Sequence, residues 1–180
     1  MNMLKVLMDL WNFVRNSTSK GIQISVSIPI ERVDFKPVRD LLTLLDAIHF
    51  PLCRPEYQPY DGKTFCNAFV AEVCEIYGYK GLNGLLANEI IDLVSQSPNW
   101  SEVPLDKCQD LANAGSLIIL GLKGDVHGHV DIVCPGRPKS SGRFGTVATV
   151  ANVGKENWIG KGWNWAFSDA PKAWAWRSTL

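Results

Sequence analysis

Apolar residues recur along this chain in two rhythms, helical in the first half and strand-like in the second. Leu4, Leu7, Met8, Trp11 and Val14 repeat at helical spacing and predict an amphipathic helix ended by Gly21. Ile22, Ile24, Val26 and Ile28 then alternate with polar residues, the pattern of a half-buried strand over 22–30. Pro37 opens a helix expected to reach Ile48, with Val38, Leu41, Leu42, Leu44 and Leu45 on its apolar face. Pro51, Pro55, Pro59 and the Asp61-Gly62 pair predict a loop. The clearest stripe follows. Cys66, Phe69, Val70, Val73, Cys74 and Tyr77 fall on one face of a helix, and Gly78 is its natural stop. A further helix is predicted from Ala87 to about Gln96, burying Ile90, Ile91, Leu93 and Val94.

Beyond Pro98 the pattern is that of strands, at 116–120, 128–134 and 146–153, with a basic Gly/Pro/Ser-rich hairpin loop over 136–145. Helices first and a sheet afterwards predict an α+β fold, a two-layer domain with N-terminal helices packed on a mostly antiparallel sheet. No internal repeat or convincing boundary divides the chain. Residues 1–50 read as a helical and strand extension packed on a body of 51–180, together one compact unit. The length of 180 residues and a hydrophobic fraction of 46% suit such a globular domain.

Eighteen basic residues balance eighteen acidic ones, which argues against a nucleic-acid partner or electrostatic capture by anionic lipid. A phosphate loop of the G-x-x-x-x-G-K-[ST] type is absent, which excludes that route to nucleotide chemistry. Lys5 and Asp9 interrupt the first apolar run, so neither a secretory signal nor stable membrane insertion is expected there. A protein of this kind acting outside the cytoplasm would be carried by other machinery. The five cysteines, Cys53, Cys66, Cys74, Cys108 and Cys134, form no C-x-x-C pair and no regular framework, so reduced thiols are expected.

One of those thiols stands out. Cys66 sits at the predicted start of its helix, where unpaired N–H groups and the helix dipole favour an anion such as a thiolate. Cys74 lies two turns deeper on the same stripe and reads as a small core residue. A cysteine nucleophile needs a base, and that base needs a group to hold its ring. His129, at the start of an apolar strand after Gly128, suits the base. Asn152, near the end of the next strand, suits the orienting group, with its carbonyl accepting Nδ1–H and Nε2 turned to the sulfur. Asp131, on the same strand face as His129, and Asn157 are alternatives for that role, and Asp131 is also a candidate, with Tyr60 and Asn67, to contact substrate or the oxyanion. Asn67 is expected to line the pocket or complete the helix cap, and Tyr60 to add an oxyanion donor beside the Cys66 amide. His127 and His129 have an H-x-H spacing that with Asp125 could ligate a metal, but no third ligand is evident and no metal is expected.

The segment TFCNAFV, the strand GHVDIV and an Asn about two dozen residues later resemble the CHAP and NlpC-type cysteine peptidase superfamily. The resemblance covers Thr64 to about Phe167 and includes AGSLIIL before the histidine strand. NVGKENWIGKGWNWAF is similar to the tails of phage lysins and secreted wall-degrading effectors in that superfamily. It implies a papain-like fold and hydrolysis of amide or peptide bonds in peptidoglycan stem peptides. Cys66 falls on the nucleophile, His129 on the base and Asn152 on the polar third member. It implies no cofactor, and for an effector a cognate inhibitor as partner. Phe65 stands where many relatives have Asp or Gln, and the repeated wall-binding module is missing. Two other readings remain beside this one: a non-catalytic wall- or protein-binding module of the same fold, and a lipid acyltransferase using the same Cys-His pair. The late tryptophans suit either stacking on sugar rings or plain strand packing.

Overall fold

The computed structural model describes residues 41–177. The predicted N-terminal helix, the strand over 22–30 and the helix start at Pro37 lie outside the described residues. Four helices precede or interrupt eight strands: α1 (Leu41–Leu52), α2 (Cys66–Tyr77), α3 (Ala87–Gln96), β1 (Trp100–Glu102), α4 (Cys108–Asn113), β2 (Ile118–Leu122), β3 (His129–Val133), β4 (Lys139–Ser141), β5 (Gly145–Val147), β6 (Thr149–Asn152), β7 (Trp158–Gly162) and β8 (Lys172–Trp176). The α+β class read from the sequence is the one observed among these residues.

The stripe on α2 is buried along its whole length, from Cys66 through Phe69, Val70, Val73 and Cys74 to Tyr77. Gly78 ends it in the left-handed region at φ 114°. Its N–H reaches Glu75 O, and the next N–H, of Tyr79, reaches back to Cys74 O at 2.8 Å, which closes a Schellman motif. α3 has the predicted bounds and buries Ile90, Ile91 and Val94, with Leu93 only partly covered. α1 departs from expectation. It continues four residues past Ile48, through Pro51, because a proline in the last turn removes only one intrahelical bond.

Six strands form one sheet in the order β1-β8-β2-β3-β6-β7, and every ladder is antiparallel. Along β2 the residues alternate between two cores. Leu117 and Ile119 face α1, α2 and α3, whereas Ile118 and Leu120 face a second apolar cluster holding Cys108 and Ala112 of α4, Trp163 and Phe167. The two-layer expectation is therefore corrected: both faces of the sheet are covered. The reason is visible in β2, whose residues 118–120 are apolar on both sides and would otherwise leave one row exposed.

The run 146–153 is not one strand. It breaks at Ala148 into β5, which pairs with β4, and β6, which belongs to the main sheet. The expected hairpin loop over 136–145 thus contains a strand of its own. The late tryptophans also divide: Trp174 and Trp176 lie on β8, but Trp163 and Trp165 lie in a 3-10 turn, Trp163 buried and Trp165 72% exposed. Gly121 lies where α3 packs closely on the sheet. A Cβ there would come within 2.6 Å of Ile91 on α3 and 3.2 Å of Trp174.

Candidate active site

Cys66 is the first residue of α2. Phe65 caps the helix with φ −124° and ψ 30° and offers no side-chain hydrogen bond. The first-turn N–H groups have no acceptor within the helix, as at any helix start. Asn67 does not complete the cap: its Nδ2 donates to Leu85 O at 2.8 Å and ties the first turn to the loop before α3.

His129 is the first residue of β3, and Cys66 lies near enough to its ring for the sulfur to favour the charged imidazole. Nε2–H donates to Asn152 Oδ1 at 2.8 Å, and Asn152 Nδ2 in turn donates to Glu156 O at 2.7 Å. The Glu156 carbonyl thereby decides which end of the Asn152 amide faces the ring. This reverses the ring orientation expected from the sequence: Nε2 is held by Asn152, which leaves Nδ1 for the sulfur. The register of β3 and β6 explains the meeting. Ile132 lies opposite Ala151 and Val133 opposite Val150, so one further step sets Asn152 beside Asp131, diagonally across from His129.

Asp131 is fully buried on the Nε2 side of the ring, with Oδ1 3.1 Å from Nε2. The expectation that it contacts substrate or oxyanion gains no geometry, because Asp131 lies behind the ring with no exposed surface. Burial opposes charge on His129. The Asp131 carboxylate and the Cys66 sulfur outweigh it and hold the imidazole well above its usual pKa. Burial also raises Asp131, against the opposing pull of His129, to about 6. The other side of the ring packs on Phe167, 5.1 Å between ring centroids.

The remaining candidates lie elsewhere. Tyr60 pairs with Lys63 in a tight turn and is 77% exposed; among the described residues nothing bonds its hydroxyl, so the oxyanion role expected for it gains no geometry. Asn157 donates to Tyr57 O and accepts from Gly154 N–H, which takes it away from the ring. His127 is exposed, and among the described residues no three His, Cys, Asp or Glu side chains cluster as metal ligands. Burial pushes the thiols of Cys74 and Cys134 up, and that of Cys108 to about 12, as suits structural cysteines.

One contributor carried no sequence signal. Asn88 on α3 grips the turn before His129 with both ends of its amide, donating to Gly124 O at 2.8 Å and accepting Gly124 N–H at 3.3 Å. Gly128 lies under the same amide: a Cβ there would run into Asn88 Oδ1 and stand 3.0 Å from Leu122 O. Polar residues on helix surfaces are common, so nothing in the sequence singles out Asn88. No helix among the described residues is long and apolar enough to cross a membrane. No protein-family model matches the chain, and no curated protein matches it.

Proposed function

We propose that this protein is a thiol hydrolase of amide or peptide bonds in peptidoglycan stem peptides, with Cys66 as nucleophile, His129 as base and Asn152 as the group that orients the ring. The observation that carries this reading is that Cys66, at the start of α2, lies near the His129 ring, whose far nitrogen is held by the chain Asn152 Oδ1–Asn152 Nδ2–Glu156 O. The resemblance of TFCNAFV and GHVDIV to CHAP and NlpC-type peptidases supplies the substrate class. A papain-like arrangement of helix start against histidine strand is the finer fold reading that goes with it.

In this mechanism the Cys66 proton passes to His129 Nδ1 and the thiolate attacks the carbonyl carbon. The negative charge moves onto the carbonyl oxygen, where first-turn N–H groups of α2 stabilise it, each donor contributing about 3 kcal/mol. Nδ1–H then protonates the departing amine as the C–N bond breaks. Water, deprotonated by the same nitrogen, hydrolyses the thioester and frees Cys66. The residues require no metal or organic cofactor for these steps.

Acyl transfer to or from a lipid by the same pair is a second reading. It rests on four exposed apolar residues that neighbour the pair or its contacts along the chain: Tyr60 before Cys66, Leu86 next to the Leu85 carbonyl that Asn67 binds, Val126 before His129 and Trp165 before Phe167. One experiment separates the readings. Purified sacculi are incubated with the protein and with Cys66→Ala, and released fragments are identified by mass spectrometry. Fragments from the intact protein alone support hydrolysis, and their masses name the bond. Binding without fragments from either protein would replace hydrolysis with a binding role. Neither binding nor fragments would turn attention to acyl transfer.

A further inference from the structure

Two acceptors compete for one nitrogen in this site. Nε2 of His129 carries a single hydrogen, which Asn152 Oδ1 accepts at 2.8 Å, yet Asp131 Oδ1 stands only 3.1 Å from the same atom. Asp131 is 0% exposed, and among the described residues neither of its oxygens receives a hydrogen bond in bonding geometry. A buried carboxylate normally gathers several donors or a fixed cation. Here its surroundings offer little. Leu120 faces it from β2 and Asn152 from β6, and the Cys134 thiol of its own chain segment is buried nearby. Among the described residues no Lys or Arg pairs with it; the group within ion-pair distance is the His129 ring, which also meets Cys66 of α2.

We infer that Asp131 is a positioning residue that holds Cys66 and His129 as a thiolate–imidazolium pair, while Asn152 sets only the direction of the ring. The inference rests on the Cys66–His129 pair proposed above. A neutral amide oxygen accepts Nε2–H from either form of the imidazole and distinguishes them weakly. A carboxylate at 3.1 Å, shielded from water, distinguishes them strongly. The proton balance is simple: one proton leaves Cys66 Sγ for Nδ1, Nε2 keeps its own, and the charged ring lies between two anions. The electrostatics agree: Asp131 and Cys66 raise His129 against its burial, and His129 in turn pulls the buried Asp131 carboxyl back toward its charged form.

The test follows the alkylation rate of Cys66 by iodoacetamide from pH 5 to 10. A Cys53→Ser background removes the exposed thiol, and mass spectrometry locates the label. With Asp131 intact, Cys66 is expected to react at pH 6 close to its maximal rate. Asp131→Asn is expected to lose about tenfold or more at pH 6 and recover near pH 9, as the midpoint moves toward that of a free thiol. Asn152→Ala is expected to slow amide hydrolysis at every pH without moving that midpoint. An Asp131→Asn midpoint equal to that of the unaltered site would overturn the inference alone. If Cys66 with Asp131 intact titrates like a free thiol, the Cys66–His129 pair itself falls. NMR of the unaltered protein labelled in histidine nitrogen guards against misfolding of the variant: the ring must remain imidazolium above pH 8, and a ring neutral below pH 7 ends the proposal.

Discussion

His129 Nε2 and Asn152 Oδ1 are 2.8 Å apart across two neighbouring antiparallel strands, though 23 residues separate them in the chain. The contact is directional because Asn152 is itself held: its amide nitrogen is spent on Glu156 O in the loop that follows β6. The imidazole is therefore fixed by backbone as much as by side chain, and the bond to Asn152 leaves Nδ1 unengaged by that amide.

Removing that hold should damage chemistry more than binding. Asn152→Ala is expected to lower kcat by about a hundredfold or more with little change in KM, within the range known for loss of a ring-orienting group. Turbidity kinetics on sacculi measure it. An unchanged kcat would mean that Asn152 is packing and nothing else.

The raised pKa of His129 makes stability depend on pH. The folded protein holds this proton more tightly than the unfolded chain, whose histidines titrate near 6.5. Its contribution is full below pH 6.5 and is lost as pH climbs through the raised folded value. Thermal melts from pH 6 to 10 should fall more steeply for the intact protein than for His129→Ala; parallel curves would contradict the assignment.

Asn88 acts on the site from α3 by gripping the turn before His129. Asn88→Ala should cost about 1–2 kcal/mol of stability for two lost hydrogen bonds. Its kcat should fall further than this destabilisation explains, since His129 is then placed less firmly. Urea melts and kinetics on the same preparation test both halves.

At Gly121, α3 packs closely on the sheet. Gly121→Ala should destabilise by about 1–3 kcal/mol through overpacking against Ile91 and Trp174. Adding Ile91→Ala should return part of that loss, and a double-mutant cycle by denaturant unfolding would expose the coupling. Strict additivity would show that the close contact is not the cause.

The five cysteines should separate by environment. Iodoacetamide under native conditions should label the exposed Cys53 and the His129-paired Cys66, and spare Cys74, Cys108 and Cys134 until denaturant is added. Peptide mass mapping reads this directly. Labelling of Cys74 in the folded protein would contradict the burial described for α2.

The helices were legible because their information is local. The spacing of Phe69, Val70, Val73 and Tyr77 with Gly78 beyond them needs no distant partner to define α2, and the same holds for α3. The strands were less legible. The apolar run 146–153 looks continuous, yet Ala148 divides it between two sheets, since pairing depends on strands far along the chain. The second apolar layer under the sheet was missed for a related reason. Val133, Val150 and Phe167 are ordinary apolar residues one by one, and only their assembly makes a core.

For the site, residue type and local periodicity were enough to single out the candidate groups: a thiol at a helix start, an imidazole at a strand start, and an amide near the end of a following strand. How these groups face one another was settled by contacts between distant segments. The tertiary structure turned Nε2 rather than Nδ1 to Asn152, placed Asp131 behind the ring instead of before the substrate, sent Asn157 to the Tyr57 carbonyl, and brought Asn88 to the turn before His129. Ring direction, burial of a charge and the partner of an amide are all set by strand register and by which helix lies above it, and contacts between distant segments leave no trace in a local pattern.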